Sequence, residues 1–148
     1  MTTEQRLANS LDIEYAIKQV QIGNYQVNYF VAGSGNPLLL IHGANFGWGV
    51  WYPNIPELVK HFTVYAIDLP GAGRSSRIDY AKLDLKRDFV DVVDQFVQIH
   101  HLQSAPIIGF SVGGWLAFQM ALLYPERMNK LVVVNTVGFT DYMGISDK

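Results

Sequence analysis

The chain has 148 residues, of which 49% are apolar and 16% charged, with a net charge of −2. That is one domain's worth of chain, and the charged share lies well below the roughly 25% usual for soluble domains. A small domain has proportionally more surface to solvate, so the deficit predicts that part of this surface is covered by more protein. With 11 basic against 13 acidic residues there is no electrostatic footprint for a phosphate backbone or an anionic bilayer, which argues against nucleic-acid and membrane roles. The lack of cysteine excludes disulfides, thiolate catalysis and cysteine-based zinc sites. Residues 1–10 carry Glu4 and Arg6 and no apolar signal-peptide core, and no apolar run reaches membrane-span length. A cytoplasmic protein is the expectation.

Residues 1–15 read as a short polar lead. Residues 17–22 and 25–31 each alternate apolar and polar, the pattern of half-exposed strands, and Gly23-Asn24 between them is a hairpin turn signal. An antiparallel pair at a sheet edge is predicted. The texture then changes to short, nearly unbroken apolar runs at 37–41, 62–67, 105–110 and 131–134. Strands apolar on both sides belong to a parallel sheet covered by helices on each face. Between them lie helical patterns. Residues 51–60 form a weak one, limited by Pro53 and Pro56. In 83–102, Leu85, Phe89, Val92, Val93, Phe96 and Ile99 recur at three-to-four spacing, with Lys86, Asp88, Asp91, Asp94 and Gln95 mostly opposite. A further helix over 112–123 is stopped by Tyr124-Pro125. The order predicts an α/β chain with a mostly parallel sheet of about six strands.

Gly109-Phe110-Ser111-Val112-Gly113 fits G-x-S-x-G and falls where a buried strand ends and a helix begins. A chain reversing in so little space needs glycine on both sides, lifts the Ser111 hydroxyl clear of the sheet, and sets the Val112 N–H beside it at a helix N-terminus. Such an N–H can stabilise a developing oxyanion. The competing role for Ser111 is that of a plain helix cap. Leu40-Ile41-His42-Gly43-Ala44-Asn45 closes the third strand with a sharp turn that positions the Ala44 N–H as a second oxyanion donor. Asp68-Leu69-Pro70-Gly71-Ala72-Gly73-Arg74-Ser75-Ser76 closes the fourth.

At these three segments the chain resembles the α/β-hydrolase fold superfamily, in order and spacing across about residues 20–140. Within it, the chain looks most like the capped small-molecule hydrolases. The resemblance implies a nucleophilic serine at 111, an oxyanion hole from Ala44 and Val112, a small-molecule substrate with a scissile ester, amide or carbon–carbon bond, and no metal or organic cofactor. Serine at 111, where epoxide hydrolases and haloalkane dehalogenases carry aspartate, argues against those branches. The family's triad order is serine, acid, histidine. Downstream of Ser111 the sequence offers Glu126, Asp141 and Asp147 but no histidine, while His42, His61, His100 and His101 all lie upstream. The family counterpart of His42 supports the oxyanion loop, and the His100-His101 pair reads as solvated surface at a helix end. Residues 16–148 are therefore expected to be a partial α/β-hydrolase domain whose cap, last strands, acid and histidine are absent. The isolated chain is then expected to be inactive, and to self-associate or to need a complementing C-terminal fragment. The alternative is a non-catalytic module that binds a ligand or partner chain.

Overall fold

The computed structural model describes residues 1–138, and the candidate acids Asp141 and Asp147 lie outside them. Strands β1 (Tyr15–Ile22) and β2 (Tyr25–Ala32) pair antiparallel around the predicted turn, with Ile22 opposite Tyr25. β3 (Asn36–Ile41), β4 (Phe62–Ile67), β5 (Ala105–Phe110) and β6 (Met128–Val134) complete a six-stranded sheet in the order β1-β2-β4-β3-β5-β6. β3 runs parallel to β4 and β5, and β5 to β6, so the hairpin occupies one edge, as the alternating patterns predict.

The unbroken apolar runs serve two cores. On one face, Leu39, Ile41, Ile67 and Ile107 pack under α3 (Asp91–Ile99) and α4 (Val112–Leu123). On the other, Phe30, Leu38, Leu40, Val64 and Ala66 pack under Ala8, Trp48, Trp51 and Ile55. Ala8 belongs to α1 (Thr3–Asn9), a helix inside the expected lead, begun by a capping box in which the Thr2 hydroxyl accepts the Gln5 N–H and the Gln5 side chain accepts the Thr2 N–H.

Two helical expectations need correction. The segment 51–60 yields only a 3₁₀ turn at Trp48–Trp51 and the single turn α2 (Ile55–Leu58), since Pro56 can stand only in a helix's first turn. The long amphipathic helix starts instead with a π turn at Lys86–Val90, where the Asp91 N–H bonds to the Lys86 carbonyl. The wider turn rotates the buried stripe. Val90 and Val97 join Val92, Val93 and Phe96 in the core, whereas Leu85 and Ile99 are exposed. Asp88 and Asp94, assigned to the polar side, are buried. Asp88 takes both arms of the Arg87 fork at 2.7 Å, the Tyr25 hydroxyl and the Asp84 N–H, and the Arg87 guanidinium holds its carboxyl far below the usual range. Asp94 accepts from Arg127 and Gln98, each at 2.6 Å.

Candidate functional site

β5 ends at Phe110 and α4 begins at Val112, so Ser111 alone makes the reversal. Its backbone lies at φ 54°, ψ −118°, a conformation that costs a non-glycine residue about 1–3 kcal/mol. The surroundings impose it. The Ser111 N–H donates to the Val134 carbonyl at 2.9 Å, and the Ser111 carbonyl accepts from the Gly114 and Trp115 N–H groups at 3.0 and 3.2 Å. The Thr136 hydroxyl adds a bond to that carbonyl at 3.3 Å. A Cβ at Gly109 would overlap the Gly113 carbonyl, and one at Gly113 would overlap the carbonyls of Ile41 and His42, so both motif glycines answer to close approach. The half-buried Ser111 side chain makes no capping bond to α4, which removes the helix-cap role.

The turn after β3 abuts this reversal. A Cβ on Gly43 would stand 3.2 Å from the Ser111 Cβ and 3.1 Å from the Phe110 ring. Ala44 follows Gly43, and Val112 follows Ser111. Neither the Ala44 nor the Val112 N–H donates to an acceptor among the described residues, and neither does the Ser111 hydroxyl. Unpaired backbone donors are rare unless solvent or a ligand takes them. A serine hydroxyl and two N–H groups without partners on adjoining turns are the kinds of group that acyl-transfer chemistry uses.

His42 is buried and fully engaged. Its Nε2 accepts the Leu69 N–H at 2.9 Å, which puts the ring proton on Nδ1, 2.6 Å from the Gly43 carbonyl. Burial pulls its pKa below 6.5. The ring therefore ties the turn after β4 to the turn after β3 and is no base for Ser111. Asp68, also buried, does the same work from the other turn. Its carboxylate accepts the Trp48 N–H at 2.6 Å, the Asn28 amide at 2.7 Å and the Arg74 N–H at 3.0 Å. Burial pushes its carboxyl up from 3.8, against the pull of those three donors. Any side chain at Gly73 would overlap this carboxylate.

Glu4, on α1, closes the network. It accepts from Asn28 at 2.9 Å, from the Trp48 indole at 2.7 Å and from Arg74 at 3.3 Å. Sequence reasoning passed over it as part of the lead, although Thr2-x-x-Gln5 is a legible capping signal. The other histidines lie far from Ser111. His61, His100 and His101 precede the N-terminal ends of β4 and β5, and six residues of strand separate those ends from Ser111 by roughly 20 Å. His100 is not the solvated residue expected: it is half-buried against Tyr29, Phe96 and Tyr65 at 4.7, 4.4 and 5.8 Å. Glu126 is exposed as expected. Among the described residues no group of three or more acidic, histidine or cysteine side chains could hold a metal ion.

Comparison with known proteins gives a consistent picture. Residues 36–147 match the alpha/beta hydrolase fold family. The chain is 31% identical to the 1-acylglycerol-3-phosphate O-acyltransferase of Homo sapiens, over 98% of its own length and 44% of that protein. It is 32% identical to the (E)-2-((N-methylformamido)methylene)succinate hydrolase of Acinetobacter baylyi, over 81% of the chain and 45% of that enzyme. A crystal structure of a bacterial membrane phospholipase A superposes with a TM-score of 0.82 at 28% identity, covering 93% of the chain and 46% of that structure. The chain thus spans less than half the length of each.

Proposed function

The chain belongs to the α/β-hydrolase-fold family, and from that premise and the geometry at Ser111 we propose that it supplies the nucleophile and oxyanion hole of a serine hydrolase acting on a small-molecule ester, amide or carbon–carbon bond. One observation carries the reading: Ser111 is held at a strained backbone conformation at the end of β5, and among the described residues neither its hydroxyl nor the N–H groups of Val112 and Ala44 has a hydrogen-bond partner. Ser111 Oγ attacks the acyl carbon, and the oxygen that becomes negative accepts the N–H groups of Val112 and Ala44. The serine proton passes to a base, and a histidine is the residue the family order calls for. The names of two similar proteins, an acyltransferase and a phospholipase, favour an acyl ester among the three bond types.

The histidines of this chain favour a second reading. His42 is locked between two turns and the others lie at the far end of the sheet, so these 148 residues on their own would be a binding module with a dormant serine. One experiment separates the two. Imidazole in solution replaces the base, and an alkyl fluorophosphonate reports the nucleophile as a covalent adduct by mass spectrometry. The expected outcome is labelling of Ser111 that is slow alone, accelerates with imidazole, and vanishes in Ser111→Ala. Equal adduct on both proteins at every imidazole concentration would overturn the serine reading.

A further inference from the structure

A cavity of about 490 Å³ lies between α1 and the turn that follows Ala44, in the size range of small-molecule sites. Its apolar walls are Leu7, Phe46, Trp48 and Val50, with Glu4 and Arg74 at the polar side. We propose that it holds an uncharged aliphatic chain, and, resting on the serine hydrolase reading, that this chain is the tail of the acyl group delivered to Ser111.

Three observations carry this. The carboxylates that border the cavity are already taken: Glu4 accepts from Asn28, Trp48 and Arg74, and Asp68 from Asn28, Trp48 and Arg74, so neither calls for a ligand cation. Two carboxylates against one guanidinium make an anion unwelcome as well. An apolar ligand remains, and the exposed walls of this open groove are mostly apolar. The third observation is continuity with the serine. Phe46 lines the cavity and also packs edge-on against Phe110, the residue before Ser111, at 6.1 Å. Phe46 is 53% exposed, so its ring face is open to a chain lying in the cavity.

The test is a homologous series of 1-alkanols titrated into the chain by calorimetry. Affinity should rise about fourfold for each added methylene until the cavity is full, the increment expected for burying a CH₂ group. Val50→Phe and, independently, Leu7→Phe fill the cavity and should cut affinity for the longer alkanols by tenfold or more at an unchanged urea midpoint. An alkylammonium should bind no more tightly than the alkanol of the same length. A flat series, a preference for the ammonium, or binding lost in Val133→Lys but kept in both filled variants overturns the proposal. The link to Ser111 is read separately, with alkyl fluorophosphonates of increasing length in the presence of imidazole. Labelling should quicken with chain length in the unaltered protein and be flat in the filled variants. No labelling at any length indicts the serine reading alone, whereas labelling that ignores length in every protein removes the acyl role of the cavity.

Discussion

β4 lies third in the sheet, between β2 and β3, with Val64, Ala66 and Ile67 at 0% exposure. β6 lies at the opposite edge, with Val132, Val133 and Val134 at 48%, 36% and 38%. β4 runs parallel to β3 and antiparallel to β2, β6 runs parallel to β5, and each carries a short apolar run. The same asymmetry holds for the layers above them. The β4 side is closed by the hairpin and α1 and on both faces by packed side chains, while α4, apolar around its whole circumference, leaves Leu122 and Leu123 exposed beside β6. A helix apolar all round is built to be covered on all sides. Among the exposed large apolar side chains, Leu122, Leu123, Val132, Val133 and Val134 fall on α4 and β6. Ser111 stands on the border, anchored by its N–H to Val134 on the open side and abutted by Gly43 on the closed one.

The sharpest test of that contrast is one truncation in each strand. Ile67→Ala should cost about 2–5 kcal/mol, the range for emptying a fully buried aliphatic site. Val133→Ala should cost no more than about 0.5 kcal/mol, as at an exposed surface position. Urea denaturation of both variants gives the comparison, and equal losses would mean that β6 is covered in solution. The second test concerns what covers it. Among the described residues nothing pairs with the outer edge of β6, and a flat apolar edge is a template for another strand. The expected outcome is self-association of the isolated chain in sedimentation, weakened about tenfold or more by Val133→Lys, an effect of ~1.4 kcal/mol. A monomer that resists concentration and unfolds cooperatively would show that the edge needs no partner.

The contrast also explains what could be read in advance. The reversal at Ser111 was legible because its constraints are local: two glycines that have no room for a Cβ, a strand before and a helix after. The hairpin and all six strands were legible for the same reason. The open apolar edge at 131–134 was legible too, because the segments that would flank that strand do not appear in the sequence, and Val132, Val133 and Val134 are exposed at the sheet edge. The π turn at 86–90 escaped a three-to-four periodicity that assumes a uniform helix, and with it went the buried places of Asp88 and Asp94. The role of Glu4 was invisible because its partners, Asn28, Trp48 and Arg74, are brought to it by three separate elements.

The smallest effect expected is that of pH, and it should be felt on the closed side. His42 and His100 both have pKa values below 6.5 because burial disfavours their charged forms, with Lys18 and His101 adding to the effect at His100. The folded chain thus binds fewer protons than the unfolded chain just below pH 6.5, and stability should fall as the pH drops through that window. Asp68, the carboxyl facing His42, has the opposite sign: its folded pKa lies above 3.8, so it takes up its proton early on folding and opposes the loss at the acid end. Urea midpoints measured from pH 7.5 to 5.5 should decline accordingly, and a flat or rising series would contradict the buried neutral rings. His100 offers the cleaner dissection. Its buried Nε2 has no hydrogen-bond partner among the described residues, and its ring sits among Tyr29, Tyr65 and Phe96. Phenylalanine matches that nest without an orphaned nitrogen, so His100→Phe should keep or raise stability at pH 7.5 and flatten the acid decline. What decline remains in that variant belongs to His42, the ring that joins the turns after β3 and β4. Its protonation would break the bond from the Leu69 N–H, loosening the turn that carries Ala44 before the rest of the sheet gives way.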